Sequence, residues 1–138
     1  MPKPSISVVL GSYNRKSFLK KTIDTIRENG ISVPYEIIVI DVGSTDGSIS
    51  YLTSQKDIIT IVQHNHGVWK SKKMDKKSWG YYMNIAFQAT HGKYILMISD
   101  DCLLVPGSVM NGFNLFETRT KAGNKIGGVA FYWRNLPY

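Results

Sequence analysis

A single cysteine, Cys102, leaves the chain without an internal disulfide, so its 138 residues are held by packing and hydrogen bonds alone. The residues Met1-Pro2-Lys3-Pro4 lack the charged-then-apolar pattern of a secretory signal, and together these absences predict a reducing, cytoplasmic setting. No apolar run approaches the roughly 20 residues that span a bilayer, which predicts no transmembrane helix. Neither Gly-x-Gly-x-x-Gly nor Gly-x-x-x-x-Gly-Lys-Ser/Thr occurs, so the dinucleotide and P-loop phosphate cradles are excluded. His64 and His66 have no cysteine or glutamate at ligand spacing, so they read as loop residues and not as a zinc site. Acids are scarce: 10 against 17 lysines and arginines, a formal charge of +7 that favours anionic partners such as nucleotides, nucleic acid or an acidic membrane surface. The excess is local, because Lys70, Lys72, Lys73, Lys76 and Lys77 crowd one short segment flanked by Trp69 and Trp79.

What is present is an ordinary globular composition, 43% hydrophobic and 12% aromatic, with no repeat or low-complexity stretch. A chain of this size buries roughly two thirds of its unfolded surface, enough for one core, so residues 1–138 are expected to form a single domain. Residues 5–10 (SISVVL) are β-branched and apolar and end at the turn formers Gly11-Ser12-Tyr13-Asn14, which predicts strand one and its exit loop. Leu19, Ile23 and Ile26 share one face of a helix from Arg15 to Glu28, with Asn14 or Ser17 as the cap and Asn29-Gly30 as the stop. A second apolar run ends at Asp41, and the following turn precedes a short helix through about Ser54, which Asp46 and the turn hydroxyls can cap. Residues 58–62 predict a third strand, residues 78–90 a helix, residues 94–98 a strand ending in Asp100-Asp101, Pro106-Gly107 the start of a helix through about Glu117, and residues 126–132 a fifth strand. This alternation implies a Rossmann-like, doubly wound α/β fold: a mostly parallel sheet with helices on both faces.

The run Tyr94-Ile95-Leu96-Met97-Ile98 is continuously apolar, as expected of a strand covered on both faces, and it delivers two adjacent carboxylates to its C-terminal edge. Ligands of such sheets gather at that edge. Like charges so close need compensation, and hard carboxylate oxygens suit Mg²⁺ or Mn²⁺, which retain waters and take phosphate oxygens as further ligands. The alternative is that Asp100 caps a turn and Asp101 is merely solvated. Asp41 belongs on the same edge, unless it only caps the Ser44-Thr45 turn, and Tyr13 is placed there to stack on a base, unless it is an ordinary exposed loop tyrosine. The lysine segment can neutralise a diphosphate, or it is a solvated mobile loop, or a surface for nucleic acid or membrane. Cys102 beside two carboxylates has its thiol disfavoured as a nucleophile.

Residues 5–15 (SISVVLGSYNR), 35–47 (YEIIVIDVGSTDG) and 84–106 (NIAFQATHGKYILMISDDCLLVP) resemble the N-terminal, nucleotide-sugar-binding half of family 2 glycosyltransferases with the GT-A fold. The resemblance implies an inverting glycosyltransferase, with a nucleotide-sugar donor, UDP-linked by preference, and Mn²⁺ or Mg²⁺ as cofactor. It implies that Ser12, Tyr13, Asn14 and Asp41 hold the nucleoside, that Asp100 contacts ribose and joins Asp101 at the metal, and that Lys72 or Lys73 approaches the diphosphate. The acceptor, whether glycan, lipid or protein, is not specified, nucleic acid is not expected, and peripheral attachment to the inner face of a membrane stays open. Two departures stand out: a frequent second acid is Val42 here, removing an acceptor for the base, and Tyr82-Met83-Asn84 replaces an Ala-Arg-Asn. No residue matches the family's catalytic base, so the chain is expected to be truncated relative to a full enzyme of this kind. A non-catalytic nucleotide- or anion-binding module and a basic nucleic-acid- or membrane-surface protein are the rival readings.

Overall fold

The computed structural model describes residues 2–132; the expectations for the chain's end at Tyr138 lie outside them. Four parallel strands form the main sheet: β1 (Ile6–Ser12), β2 (Tyr35–Asp41), β3 (Ile58–Val62) and β6 (Tyr94–Met97), in the order β3-β2-β1-β6. Helix α1 (Lys16–Arg27) connects β1 to β2, α2 (Ser48–Ser54) connects β2 to β3, α3 (Trp79–Gln88) precedes β6 and α4 (Ser108–Lys121) follows it. Between β3 and α3 lies a separate antiparallel pair, β4 (Val68–Trp69) and β5 (Lys72–Lys73). The chain winds outward from β1 through β2 to β3 and then returns to place β6 on β1's other side. The carboxyl end of β1 is therefore the switch point where a crevice opens.

The pleat divides the core. Ile6, Val8 and Leu10 of β1 and Ile37 and Val39 of β2 pack against Leu19, Ile23 and Ile26 of α1, Leu52 of α2 and Val109 of α4. Val9, Ile38 and Ile40 point the opposite way, against Tyr82, Met83 and Ala86 of α3. Fully burying each such aliphatic side chain is worth about 1.5–3 kcal/mol, so β1 and β2, closed on both faces, form the rigid centre. Two glycines permit close approaches: the Trp79 indole lies where a Cβ on Gly11 would sit, and a Cβ on Gly92 would collide with the Ser7 backbone.

Four sequence expectations are corrected. Residues 126–132 form no strand; the Gly127-Gly128 pair resists the extended state, and among the described residues no neighbour pairs with it. The strand leading to Asp100 is not covered on both faces: β6 is an edge strand, α3 packs over β1 and β2, and Ile95 and Met97 stay 47% and 60% exposed. Neither Asn14 nor Ser17 caps α1; Arg15 occupies that position without a side-chain bond, and the Lys16 N–H instead donates to Asp46 across the sheet edge at 2.8 Å. The lysine segment is not an irregular loop throughout, because Trp69 and Lys72 pair across a two-residue turn.

Candidate functional site

Side-chain bonds knit three loops together at the carboxyl edge. Ser12 ends β1 directly beside Asp41, which ends β2. Asp41 is fully buried, and its carboxylate accepts the N–H groups of Gly43 (2.9 Å) and Ser44 (2.7 Å) and the Ser44 hydroxyl (2.7 Å). The Ser44 hydroxyl in turn accepts the Asn14 N–H at 2.8 Å, while the Asn14 side-chain carbonyl accepts the Thr45 N–H at 2.7 Å. Asn14 holds a positive φ of 50°, a conformation asparagine tolerates better than most residues. The loop after β1 and the loop after β2 are thus one unit.

The loop after β6 joins them through α1. The buried Thr22 hydroxyl donates to the Asp100 carbonyl at 2.9 Å, fixing the backbone. From the start of α1, Arg15 Nη1 reaches Asp101 Oδ2 at 3.0 Å and Asp100 Oδ1 at 3.4 Å. Asp100 is only 7% exposed, whereas nearly half of the Asp101 side chain faces solvent. Burial pushes the Asp100 carboxyl up; Arg15 opposes that rise and Asp101 adds to it. A continuous line of contacts therefore runs from Asp41 through Ser44, Asn14 and Arg15 to the two terminal acids.

The edge also carries an unsatisfied group: the Ser12 hydroxyl is buried and has no hydrogen-bond partner among the described residues. A buried hydroxyl left unpaired costs free energy; the Thr60 and Ser108 hydroxyls share this state, but of the three only Ser12 ends a strand at the edge where the loops converge. Tyr13 is about half exposed on the same loop. Across the edge, the imidazoles of His64 and His66 meet edge to face and crowd Gly43, and Trp79 lies over Gly11.

Of the residues singled out in the sequence, the fold brings Ser12, Tyr13, Asn14, Asp41, Asp100 and Asp101 to one edge. Asp41 and Asn14 spend their polar groups on the loops, whereas Ser12, Tyr13 and Asp101 retain free capacity. Lys72 and Lys73 take no part in this hydrogen-bonded network and are exposed on β5. Arg15 was not singled out, since at the junction of a turn and a helix it reads as an ordinary solvated cation; only the return of the chain to β1's far side gives it two carboxylates. Among the described residues no group of three or more His, Cys, Asp or Glu converges as a metal site. Asp100 and Asp101 nonetheless suit a hard divalent ion: a cation, Arg15, already spans them, and Mg²⁺ or Mn²⁺ draws its remaining ligands from water and phosphate.

The sequence profile described as glycosyl transferase family 2 matches residues 7–134. Among solved structures, S. aureus TarS 1-349 is similar with a TM-score of 0.66 at 15% identity, covering 84% of this chain and 33% of that one. The same TarS fragment in complex with UDP-GlcNAc gives 0.63 at 14% identity, over 84% of this chain and 32% of that one. The mannosyltransferase PcManGT from Pyrobaculum calidifontis, in complex with GDP-Man and Mn²⁺, gives 0.58 at 19% identity, over 80% of this chain and 31% of that one. The chain spans about a third of the length of these structures, and at these identities the likeness is one of fold. A search of curated proteins finds no match.

Proposed function

The chain is a member of glycosyl transferase family 2, and from that premise we propose that it is the donor-binding part of an inverting glycosyltransferase that takes a nucleotide-sugar, UDP-linked by preference. The observation that carries this reading is the convergence, at the sheet's switch point, of an unsatisfied buried Ser12 hydroxyl, an exposed Tyr13 ring and a cation-bridged pair of carboxylates. The UDP and UDP-GlcNAc complexes of TarS and the GDP-Man and Mn²⁺ complex of PcManGT lend support from the same fold.

In this proposal Tyr13 lies against the base, Ser12 donates to the nucleoside, and Asp100 accepts from ribose. Asp41 and Asn14 act as positioning residues, holding the loops that carry these groups. Asp101, with Asp100, would hold Mn²⁺ or Mg²⁺, whose positive charge would stabilise the departing diphosphate. Arg15, which bridges the two acids, would offer its guanidinium to phosphate oxygens, and Lys72 or Lys73 would add further positive charge. The acceptor is a glycan, lipid or protein hydroxyl, and its deprotonation is assigned to no residue of these 138.

Titration calorimetry with UDP, UDP-GlcNAc and GDP-mannose, with and without Mn²⁺, tests the reading. The expected result is metal-dependent binding of a UDP compound that Asp101→Asn removes. Absence of binding by any nucleotide in either condition would overturn it. The Arg15 bridge also favours a second reading, a nucleotide-binding module in which arginine replaces the metal; binding without Mn²⁺ that Asp101→Asn leaves intact selects that one.

A further inference from the structure

The hairpin β4–β5 stands on the same edge as the donor loops, but its surface has a different character. Lys70 and Ser71 take φ of 47° and 62° at its tip, and Met74 N–H bonds Gly67 carbonyl at 2.9 Å at its base, so the turn is a closed, two-residue reversal. Opposed residues project from the same face, which puts Trp69 with Lys72 and Val68 with Lys73. Each face thus couples one apolar side chain to one ammonium group. Val68 is 68% exposed, Trp69 70%, and Met74 about half.

The neck of this hairpin is fixed. Asn65 accepts the Lys77 N–H at 2.7 Å and donates to the Lys77 carbonyl at 3.1 Å, and the Tyr82 hydroxyl of α3 donates to the same Asn65 oxygen at 2.6 Å. The clasp ties the start of the segment to its end and both to the core. Between Lys70 and Lys77 five lysines face one acid, Asp75, and none of the five has an ion-pair partner among the described residues.

We propose that this clasped hairpin docks the protein on an anionic lipid bilayer, with Trp69 and Met74, which share one face, entering the interfacial layer and the ammonium groups of Lys70, Lys76 and Lys77 meeting lipid phosphates. Tryptophan favours the bilayer interface, and lysine stems lie along apolar surface while their heads stay in water. Exposed aliphatic residues distinguish the hairpin from a nucleic-acid platform: Val68 and Met74 offer no face for base stacking, and a lone Trp69 makes no row of stacking sites. The docking stands on its own observations and does not rest on donor binding.

Co-sedimentation with vesicles tests it, using phosphatidylglycerol and phosphatidylcholine in equal parts against phosphatidylcholine alone. The protein is expected to bind the mixed vesicles and to ignore the neutral ones. A basic residue near an anionic surface is worth about fivefold in binding, so Lys70→Glu with Lys76→Glu is expected to weaken it by at least ~25-fold. Trp69→Ser is expected to weaken it while the melting temperature and nucleotide affinity stay at wild-type values. Failure to bind the mixed vesicles overturns the proposal. So does binding that both variants leave unchanged, or tighter binding to a single-stranded oligonucleotide than to the vesicles at the same salt.

Discussion

Arg15 and Asp101 meet across the sheet's switch point, Nη1 to Oδ2 at 3.0 Å, although 86 positions separate them. Both side chains are about half in solvent, and exposed pairs of this kind contribute on the order of 0.5 kcal/mol, so a doubly charged ion displaces the guanidinium at little cost. Arg15→Ala is therefore expected to tighten Mn²⁺ binding by the nucleotide-free protein, read from the loss of the free-ion signal in electron paramagnetic resonance. The same variant is expected to weaken UDP binding in the presence of Mn²⁺. If Mn²⁺ affinity falls instead, the arginine is not the ion's competitor.

Asp100 carries a cost at neutral pH. Its folded pKa is raised above the ordinary 3.8, first by burial, so holding the carboxylate ionised opposes folding once the pH is above that raised value. Asp100→Asn is expected to raise the melting temperature of the metal-free protein near pH 7 by roughly 3–5 °C per kcal/mol regained. The gain should shrink as the pH falls and vanish below 3.8, where the carboxyl is protonated in both the folded and the unfolded state. The variant pays for its stability with lost metal-dependent nucleotide binding. Equal melting temperatures across the whole pH range would show that Asp100 is not strained.

Asn29 joins two helices. It follows α1, yet its side chain accepts the Val109 N–H at 3.1 Å near the start of α4 and donates to the Val105 carbonyl at 2.9 Å, in a nearly fully buried position. Asn29→Ala leaves both backbone groups unpaired, with an expected cost of about 1–3 kcal/mol. Thermal unfolding monitored by circular dichroism checks this, and a loss below about 0.5 kcal/mol would mean that water replaces the side chain.

Glu36 sets part of the acid limit. Burial raises its carboxyl pKa, but hydrogen bonds from the Ser7 hydroxyl and from His91 outweigh that and hold it below the ordinary 4.5. A depressed carboxylate contributes stability above its unfolded pKa and loses it as the pH falls through the folded value, so this contribution disappears below pH 4.5. Glu36→Gln, which keeps an oxygen acceptor for both donors, is expected to lose less stability than wild type between pH 7 and about pH 3. Parallel stability profiles for the two proteins would rule out this origin.

Much of the fold was legible because its signals are local. The apolar runs of β1 and β2 read as doubly covered strands and are, since both lie at the sheet's centre. The same pattern misled at β6: Leu96 and Ile98 reach the α1 side of the core and Tyr94 packs on Phe113 and Phe116 of α4, but Ile95 and Met97 face a side that α3 does not cover, and nothing in their hydrophobicity tells an edge strand from a central one. The hairpin was hidden for a different reason. A tight two-residue turn ordinarily announces itself with glycine or asparagine at positive φ, and here Lys70 and Ser71 occupy those positions.

The sequence by itself determined the alternation of strands and helices, the excess of lysine in one segment, and which residues end strands at a common edge, because periodicity, turn formers and the parity of a parallel sheet are properties of neighbours along the chain. Only the tertiary structure decided how those ends are used. It buried Asp41 under its own loop, left the Ser12 hydroxyl without a partner among the described residues, and set Arg15 between Asp100 and Asp101. The Arg15 bridge depends on the chain crossing back to the far side of β1, a long-range pairing that no local pattern encodes, whereas the bonds that hold Asp41 come from its own loop.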